Sequence, residues 1–173
     1  MNNKGFTLAE LMAVVIIVAI LSAIAMGSYK RAVERSRISD GLLAASSVLE
    51  AVNRYQADKF PDADAGYPTY NQLDISFPNE KDCTAPSDYC KKTKYFEITI
   101  NSGDANQPPR GSVDAKRMKG GVEGDFTIRI YSDTFGANKT HQPECIGTNE
   151  GGRDLCIAAG YTTCTGTYVC TKQ

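Results

Sequence analysis

One carboxylate, that of Glu10, stands inside a long apolar segment near the start of the chain. Residues 6–26 are almost entirely Phe, Leu, Met, Ala, Val and Ile, and the polar side chains among them belong to Thr7, Glu10 and Ser22. As a helix this segment rises roughly 30 Å, which is enough to cross the hydrocarbon core of a bilayer. An ionised carboxylate in hydrocarbon costs about 2.5 to 3.5 kcal/mol, so Glu10 needs a cationic partner or a function.

The cysteines are the second group of residues with chemistry of their own. None falls in the apolar segment, and the six are Cys83, Cys90, Cys145, Cys156, Cys164 and Cys170. Clustered cysteines can bind zinc, but there is no C-x-x-C pair and only one histidine, His141, so disulfides in an oxidising compartment are favoured. Six cysteines permit fifteen pairings. Only Cys83 with Cys90 is favoured here, because the Pro and Ser between them promote a turn.

Length and charge limit the remaining functions. The 173 residues suffice for one domain plus a membrane segment. The balance of 19 basic and 20 acidic groups gives no strong field, so nucleic-acid binding is not indicated. No local pattern supplies a nucleophile and a base, and His141 is interpreted as a solvated loop residue. We therefore predict no catalytic residue, metal or cofactor, and no enzymatic activity.

Three weaker patterns have simple interpretations. Residues 62–66, D-A-D-A-G, resemble the start of a calcium loop but lack its third ligand, its Gly spacing and its terminal Glu. Residues 138–140, N-K-T, match an N-glycosylation acceptor that is short enough to occur by chance. The aromatic residues Tyr67, Tyr70 and Phe77 could form an adhesive surface, but packing on the adjacent helix is favoured.

The helical pattern continues beyond the apolar segment, and we predict one helix over residues 6–55. Its second half carries one apolar stripe, which predicts an amphipathic helix that supports a globular head. The stripe is Ile38, Leu42, Ala45, Leu49 and Val52. The charges of residues 30–37 either form a solvated face or contact neighbouring molecules, and both interpretations remain open.

The rest of the chain predicts a small sheet. Residues 94–100 and 125–131 alternate apolar and polar side chains, which is typical of half-buried strands, and residues 111–118 are a weaker candidate. Residues 59–92 are rich in Pro, Asp, Asn and Tyr and predict a connecting loop. Antiparallel strands packed on the amphipathic half-helix give an α+β fold. The Gly- and Thr-rich residues 138–173 contain little apolar material, so we expect disulfides, worth about 2 to 4 kcal/mol each, to order them.

The run K-G-F-T-L-A-E ahead of the apolar span resembles the N-terminus of a type IV prepilin. The resemblance implies cleavage between Gly5 and Phe6 by a membrane-embedded prepilin peptidase, N-methylation of Phe6, and an assembly role for Glu10 with Thr7. It departs from the family at Gly27, where many members have Pro. The implied divisions are a leader (1–5), a transmembrane or filament-core helix (6–28), an amphipathic half-helix (29–57), a connecting loop (58–93), and a β-sheet with a disulfide-bounded C-terminal region (94–173).

The function implied by the resemblance is structural. The chain would wait in the bacterial inner membrane, with its head in the periplasm, and polymerise with other copies into a surface filament through an inner-membrane assembly platform. The alternatives are a type II secretion pseudopilin, a minor pilin and a membrane-anchored adhesion module. A secretory signal with an A-x-A site at residues 23–25 is disfavoured by Glu10. A plain membrane anchor explains neither Glu10 nor the Gly5–Phe6 pair.

Overall fold

A computed structural model describes residues 5–59, 67–83, 87–101, 111–132 and 142–172. The chain divides into two compact units, residues 1–34 and residues 35–173. The calcium-like segment at residues 62–66, the N-K-T acceptor at 138–140 and His141 lie outside the described residues.

The first helix, α1, runs over Leu8–Lys59. The predicted helix began two residues earlier and ended four residues earlier; the later start follows from Thr7, which caps the helix. Helical backbone continues through Gly27 without interruption. The helix is long and apolar enough to cross a membrane.

The large apolar side chains of the first unit are exposed. Those from Leu8 to Met26 have between 54% and 76% of their surface accessible. Isolated surface hydrophobic residues need no explanation, but a contiguous apolar surface of this length indicates contact with lipid or protein.

The second unit contains one sheet. Within the described residues eight antiparallel strands form it, in the order β1-β2-β3-β4-β5-β6-β8-β7. The strands are β1 (Lys81–Asp82), β2 (Cys90–Lys92), β3 (Phe96–Asn101), β4 (Ser112–Lys119), β5 (Val122–Tyr131), β6 (Glu144–Gly147), β7 (Thr163–Thr165) and β8 (Val169–Thr171). A second helix, α2 (Glu150–Ala158), follows β6, and 3-10 turns occupy Tyr70–Gln72 and Ser87–Tyr89. The α+β prediction is confirmed.

The core lies between one face of this sheet and the second half of α1. The helix buries Ile38, Ala45 and Val52 of the predicted stripe, while Leu42 and Leu49 lie at its edges, half-buried. The sheet contributes every second residue of β3, β4 and β5, as period-two patterning requires. These core residues are Phe96, Ile98, Ile100, Val113, Ala115, Phe126, Ile128 and Ile130.

Two regions contain strands or helices that we did not predict. Strands β1 and β2 lie in the segment predicted as a connecting loop; at two and three residues they are too short to show an alternating pattern. Beyond residue 138 the chain forms β6, α2, β7 and β8. Its buried residues include Cys145, Cys156, Cys170 and Tyr161, so the disulfide sulfurs themselves supply apolar core material there.

Candidate assembly and crosslinking sites

Thr7 and Glu10 form a reciprocal cap at the start of α1. The Thr7 N–H donates to Glu10 Oε2 at 2.8 Å, and the Thr7 hydroxyl donates to the same oxygen at 2.9 Å. The Glu10 N–H donates to Thr7 Oγ1 at 3.3 Å. This is the capping box of a T-x-x-E sequence, which satisfies two backbone donors that the first turn leaves open. The T-x-x-E spacing is the sequence signal for this cap, and it points to a helix start at Leu8 rather than at Phe6.

The Gly5–Phe6 bond lies just before this cap. Gly5 has open space where a side chain would be, and 83% of the Phe6 surface is accessible. Because both residues precede the helix and neither is covered, the bond between them is open to another protein. Removal of the residues before Phe6 would leave the Thr7 N–H in a peptide bond, so the capping box would persist.

All six cysteines lie in the described ranges, and they form three disulfides. The bridges are Cys83–Cys90, Cys145–Cys156 and Cys164–Cys170. The first is the pairing that the sequence favoured; the other two could not be chosen from the sequence. The Cys83 and Cys90 sulfurs and a Glu97 carboxylate oxygen lie within 4.8 Å of one another, but both sulfurs belong to the disulfide.

Arg37, one of the charged residues at positions 30–37, makes its contacts within its own chain. Arg37 forms an ion pair with Asp40 at 2.8 Å, and its Cζ lies 3.7 Å from the centroid of the Tyr95 ring. A hydrogen bond from Lys94 lowers the pKa of the Tyr95 hydroxyl, and the charge of Arg37 lowers it further. Arg37 therefore joins α1 to the loop before β3.

A polar row crosses the opposite face of the sheet. Arg129 donates through Nε and Nη2 to the two oxygens of Asp114, each at 2.7 Å. The Tyr131 hydroxyl donates to Glu144 Oε2 at 2.7 Å, and burial raises the pKa of Tyr131 to about 12. The bidentate pair holds β5 against β4, and the Tyr131–Glu144 bond links β5 to β6.

The three aromatic residues that could have formed an adhesive surface pack inward. Tyr67 and Phe77 are half-buried against the core, and Tyr70 is buried. The Tyr70 hydroxyl donates to the Ile98 carbonyl oxygen at 3.3 Å, and desolvation raises the Tyr70 pKa well above its usual range. Packing, the favoured interpretation, accounts for these three residues.

This chain is similar to known proteins both in its N-terminal segment and over most of its length. A model of the prokaryotic N-terminal methylation motif matches residues 1–26. The type IV major pilin protein PilE of Neisseria gonorrhoeae is 30% identical over 157 residues, which cover 84% of this chain and 89% of the relative. A PilE1 pilin of the same organism is 41% identical over 134 residues, covering 70% and 67%, respectively. A fimbrial protein of Neisseria meningitidis serogroup A is 30% identical over 126 residues, covering 70% and 71%.

No solved structure gives a significant match. With a capped apolar helix, a matching methylation motif and relatives aligned over most of their length, the chain belongs to the type IV pilin family.

Proposed function

We propose that this chain is the structural subunit of a type IV pilus-like filament, polymerised through the first half of α1. The observation that carries the proposal is the apolar surface of that half, whose large side chains are 54% to 76% exposed. Burial of apolar surface contributes about 25 cal/mol per Å², so these side chains favour lipid before assembly and other copies after it. The relatives that bear pilin and fimbrial names support the same role.

Maturation proceeds by removal of residues 1–5. A prepilin peptidase cuts the open Gly5–Phe6 bond, and the new amino group of Phe6 is methylated. The motif that matches residues 1–26 supports this processing. The domain divisions follow from it: residues 6–28 form the membrane or filament-core part and residues 29–57 form the part of α1 that belongs to the head.

Glu10 guides assembly by pairing with the Phe6 amine of a neighbouring subunit. Its Oε2 atom is engaged by Thr7, which holds the carboxylate at the start of the helix. An ion pair away from water is stronger than the roughly 1 kcal/mol available at 4 Å in bulk water, although desolvation cancels part of the gain. The larger effect is on register, because a subunit at the wrong axial offset leaves Glu10 without its cation in an apolar core.

The membrane orientation follows from the leader. Lys4 before the span favours a cytoplasmic leader and a periplasmic head. The head is then in an oxidising compartment, which suits its three disulfides. An inner-membrane assembly platform extracts the subunit, and the assembled filament carries no catalytic function.

Expression of this gene in cells that retain a pilus machinery but lack their own major pilin tests the proposal. We expect surface filaments in electron micrographs, and mass spectrometry of sheared filaments should identify this chain as their main component. A strain that lacks the assembly ATPase is the control, since it should hold the processed subunit in the membrane. Processed, membrane-inserted protein without filaments in the competent strain would contradict the proposal.

A further inference from the structure

Four of the six cysteines meet on neighbouring elements at one end of the sheet. Cys145 of β6 lies directly opposite Cys170 of β8, and Cys164 of β7 lies opposite the same Cys170. Directly opposed residues of antiparallel strands have Cα atoms about 4.5 to 5.5 Å apart and side chains on the same face. That separation is within the range that a disulfide spans. Cys170 therefore has two cysteines within bonding reach, and it is bonded to Cys164.

The two disulfides of this cluster differ in their access to solvent. Cys164 lies in β7, all of whose residues are exposed, at one end of the described sheet. Cys145, Cys156 and Cys170 are each 0% exposed. Thiol–disulfide exchange starts at a sulfur that the attacking thiolate can reach. Cys164 is therefore the point of entry, and Cys170 is the leaving group.

We propose that the C-terminal cysteines form a thiol-exchange site, at which an external thiol attacks Cys164 and Cys170 passes the exchange to Cys145. In the first step the thiolate bonds to Cys164 Sγ, and the electron pair of the broken bond goes to Cys170. In the second step Cys170 Sγ bonds to Cys145 Sγ, and Cys156 leaves as a thiolate. One thiolate enters and one leaves, so the sequence needs no oxidant.

The exchange acts on the attachment of α2. The Cys145–Cys156 bond ties α2 to β6, whereas a Cys145–Cys170 bond would join two strands that already share a ladder. After exchange α2 keeps its packing and its cap, in which Asn149 Oδ1 accepts the Gly152 N–H at 2.9 Å. The site is thus a thiol-sensitive switch for the covalent anchoring of one surface helix.

The variant Cys164→Ser tests the second step without any added reductant. In the full chain in detergent this change leaves Cys170 as a free thiol beside Cys145. Samples are quenched in acid, denatured, labelled with N-ethylmaleimide and digested for mass spectrometry. We expect the label on both Cys170 and Cys156, together with a Cys145–Cys170 crosslinked peptide.

Cys90→Ser is the matched control, because it also frees one thiol. Cys90 lies in β2, which β3, β4 and β5 separate from β6, so its partner Cys83 should retain the whole label. The proposal requires label on Cys156 in Cys164→Ser at least about tenfold above that in Cys90→Ser. Label confined to Cys170 would overturn it. Label on Cys83 or Cys90 in Cys164→Ser would also overturn it, because exchange would then reflect an unfolded chain.

The wild-type chain tests the first step. Among the four C-terminal cysteines, incubation with reduced glutathione should place the first glutathione adduct on Cys164, with label then appearing on Cys156. A first adduct on Cys170, Cys145 or Cys156 would contradict entry through β7.

Discussion

Gly41 of α1 lies so close to the ring of Phe96 that a side chain has no room there. A Cβ built on Gly41 would be 2.9 Å from Phe96 Cε1 and 3.1 Å from Cζ. Phe96 is only 3% exposed and packs against Phe126, with ring centroids 6.4 Å apart, so its ring has little freedom to move. The helix therefore approaches the sheet at a glycine.

Gly41→Ala should destabilise the head. Replacing a helical glycine by alanine contributes about 1 kcal/mol of helix propensity, but overpacking costs about 1 to 3 kcal/mol. We expect a net loss of about 1 kcal/mol and a larger loss for Gly41→Val, measured by thermal unfolding of the full chain in detergent. Gly27→Ala is the control, because a Cβ there meets nothing within 4 Å and the change should not lower the melting temperature. Equal melting temperatures for Gly41→Ala and Gly27→Ala would show that the Phe96 ring moves aside at little cost in stability.

The head should lose stability in acid, because Asp125 contributes to folding only while its carboxyl is ionised. A hydrogen bond from Lys119 lowers the pKa of this carboxyl, and Asn149 adds a second hydrogen bond. Because the folded pKa lies below the unfolded value of about 3.9, the stabilisation is present above that value and is lost as pH falls through the folded pKa. Asp125→Asn should therefore show a smaller stability difference between pH 7 and pH 3 than the wild type.

The control for Asp125 is Asp58→Asn, which changes an exposed carboxylate near the end of α1. Its stability difference should equal that of the wild type in urea unfolding at the two pH values. A wild-type difference in Asp125→Asn would show that the ion pair with Lys119 does not contribute to folding.

Local sequence patterns predicted the elements in which apolar residues recur at a regular spacing. The stripe from Ile38 to Val52 and the alternation in β3 and β5 each span several residues, so their buried faces could be identified from periodicity. Glu10 was identified because a charged group is conspicuous in an apolar segment, whereas Thr7 was identified from the resemblance to type IV prepilins. The capping box between them was not predicted, although its T-x-x-E spacing is a local signal.

Long-range contacts could not be predicted in the same way. Gly41 has no apolar side chain, so the periodic pattern does not identify it as a core residue. Its role depends on Phe96, which is distant in the chain. The opposition of Cys145 and Cys170 depends on the pairing of β6 with β8, two strands of four and three residues that carry no alternating signal. Short strands are specified by their neighbours rather than by their own residues.

Processing should fail when Gly5 carries a bulky side chain. Gly5 has no neighbour within 4 Å in this chain, so Gly5→Val changes the bond presented to the peptidase without disturbing a contact. We expect Gly5→Val to accumulate at the precursor mass in the membrane, while wild-type protein begins at methylated Phe6. Gly27→Ala again serves as the control and should be cleaved normally. Normal cleavage of Gly5→Val would contradict the proposed site, and a mature terminus at Met26 would support a secretory signal instead.

Variants of Glu10 and Thr7 separate the charge of the carboxylate from its capping role. Glu10→Ala removes both, whereas Glu10→Gln retains an acceptor for the Thr7 N–H, since Gln also completes a capping box. Thr7→Ser keeps every bond of the cap, and Thr7→Val loses those of the hydroxyl.

If Glu10 pairs with the Phe6 amine of a neighbour, both Glu10 variants should be processed and inserted normally. Each should then yield at least about tenfold fewer filaments as sole subunit, the effect of about 1.4 kcal/mol. Thr7→Ser should assemble like the wild type and Thr7→Val at an intermediate level, measured by electron microscopy and sheared-filament yield. Wild-type filament yield from Glu10→Gln would show that capping, and not charge, is what the carboxylate supplies.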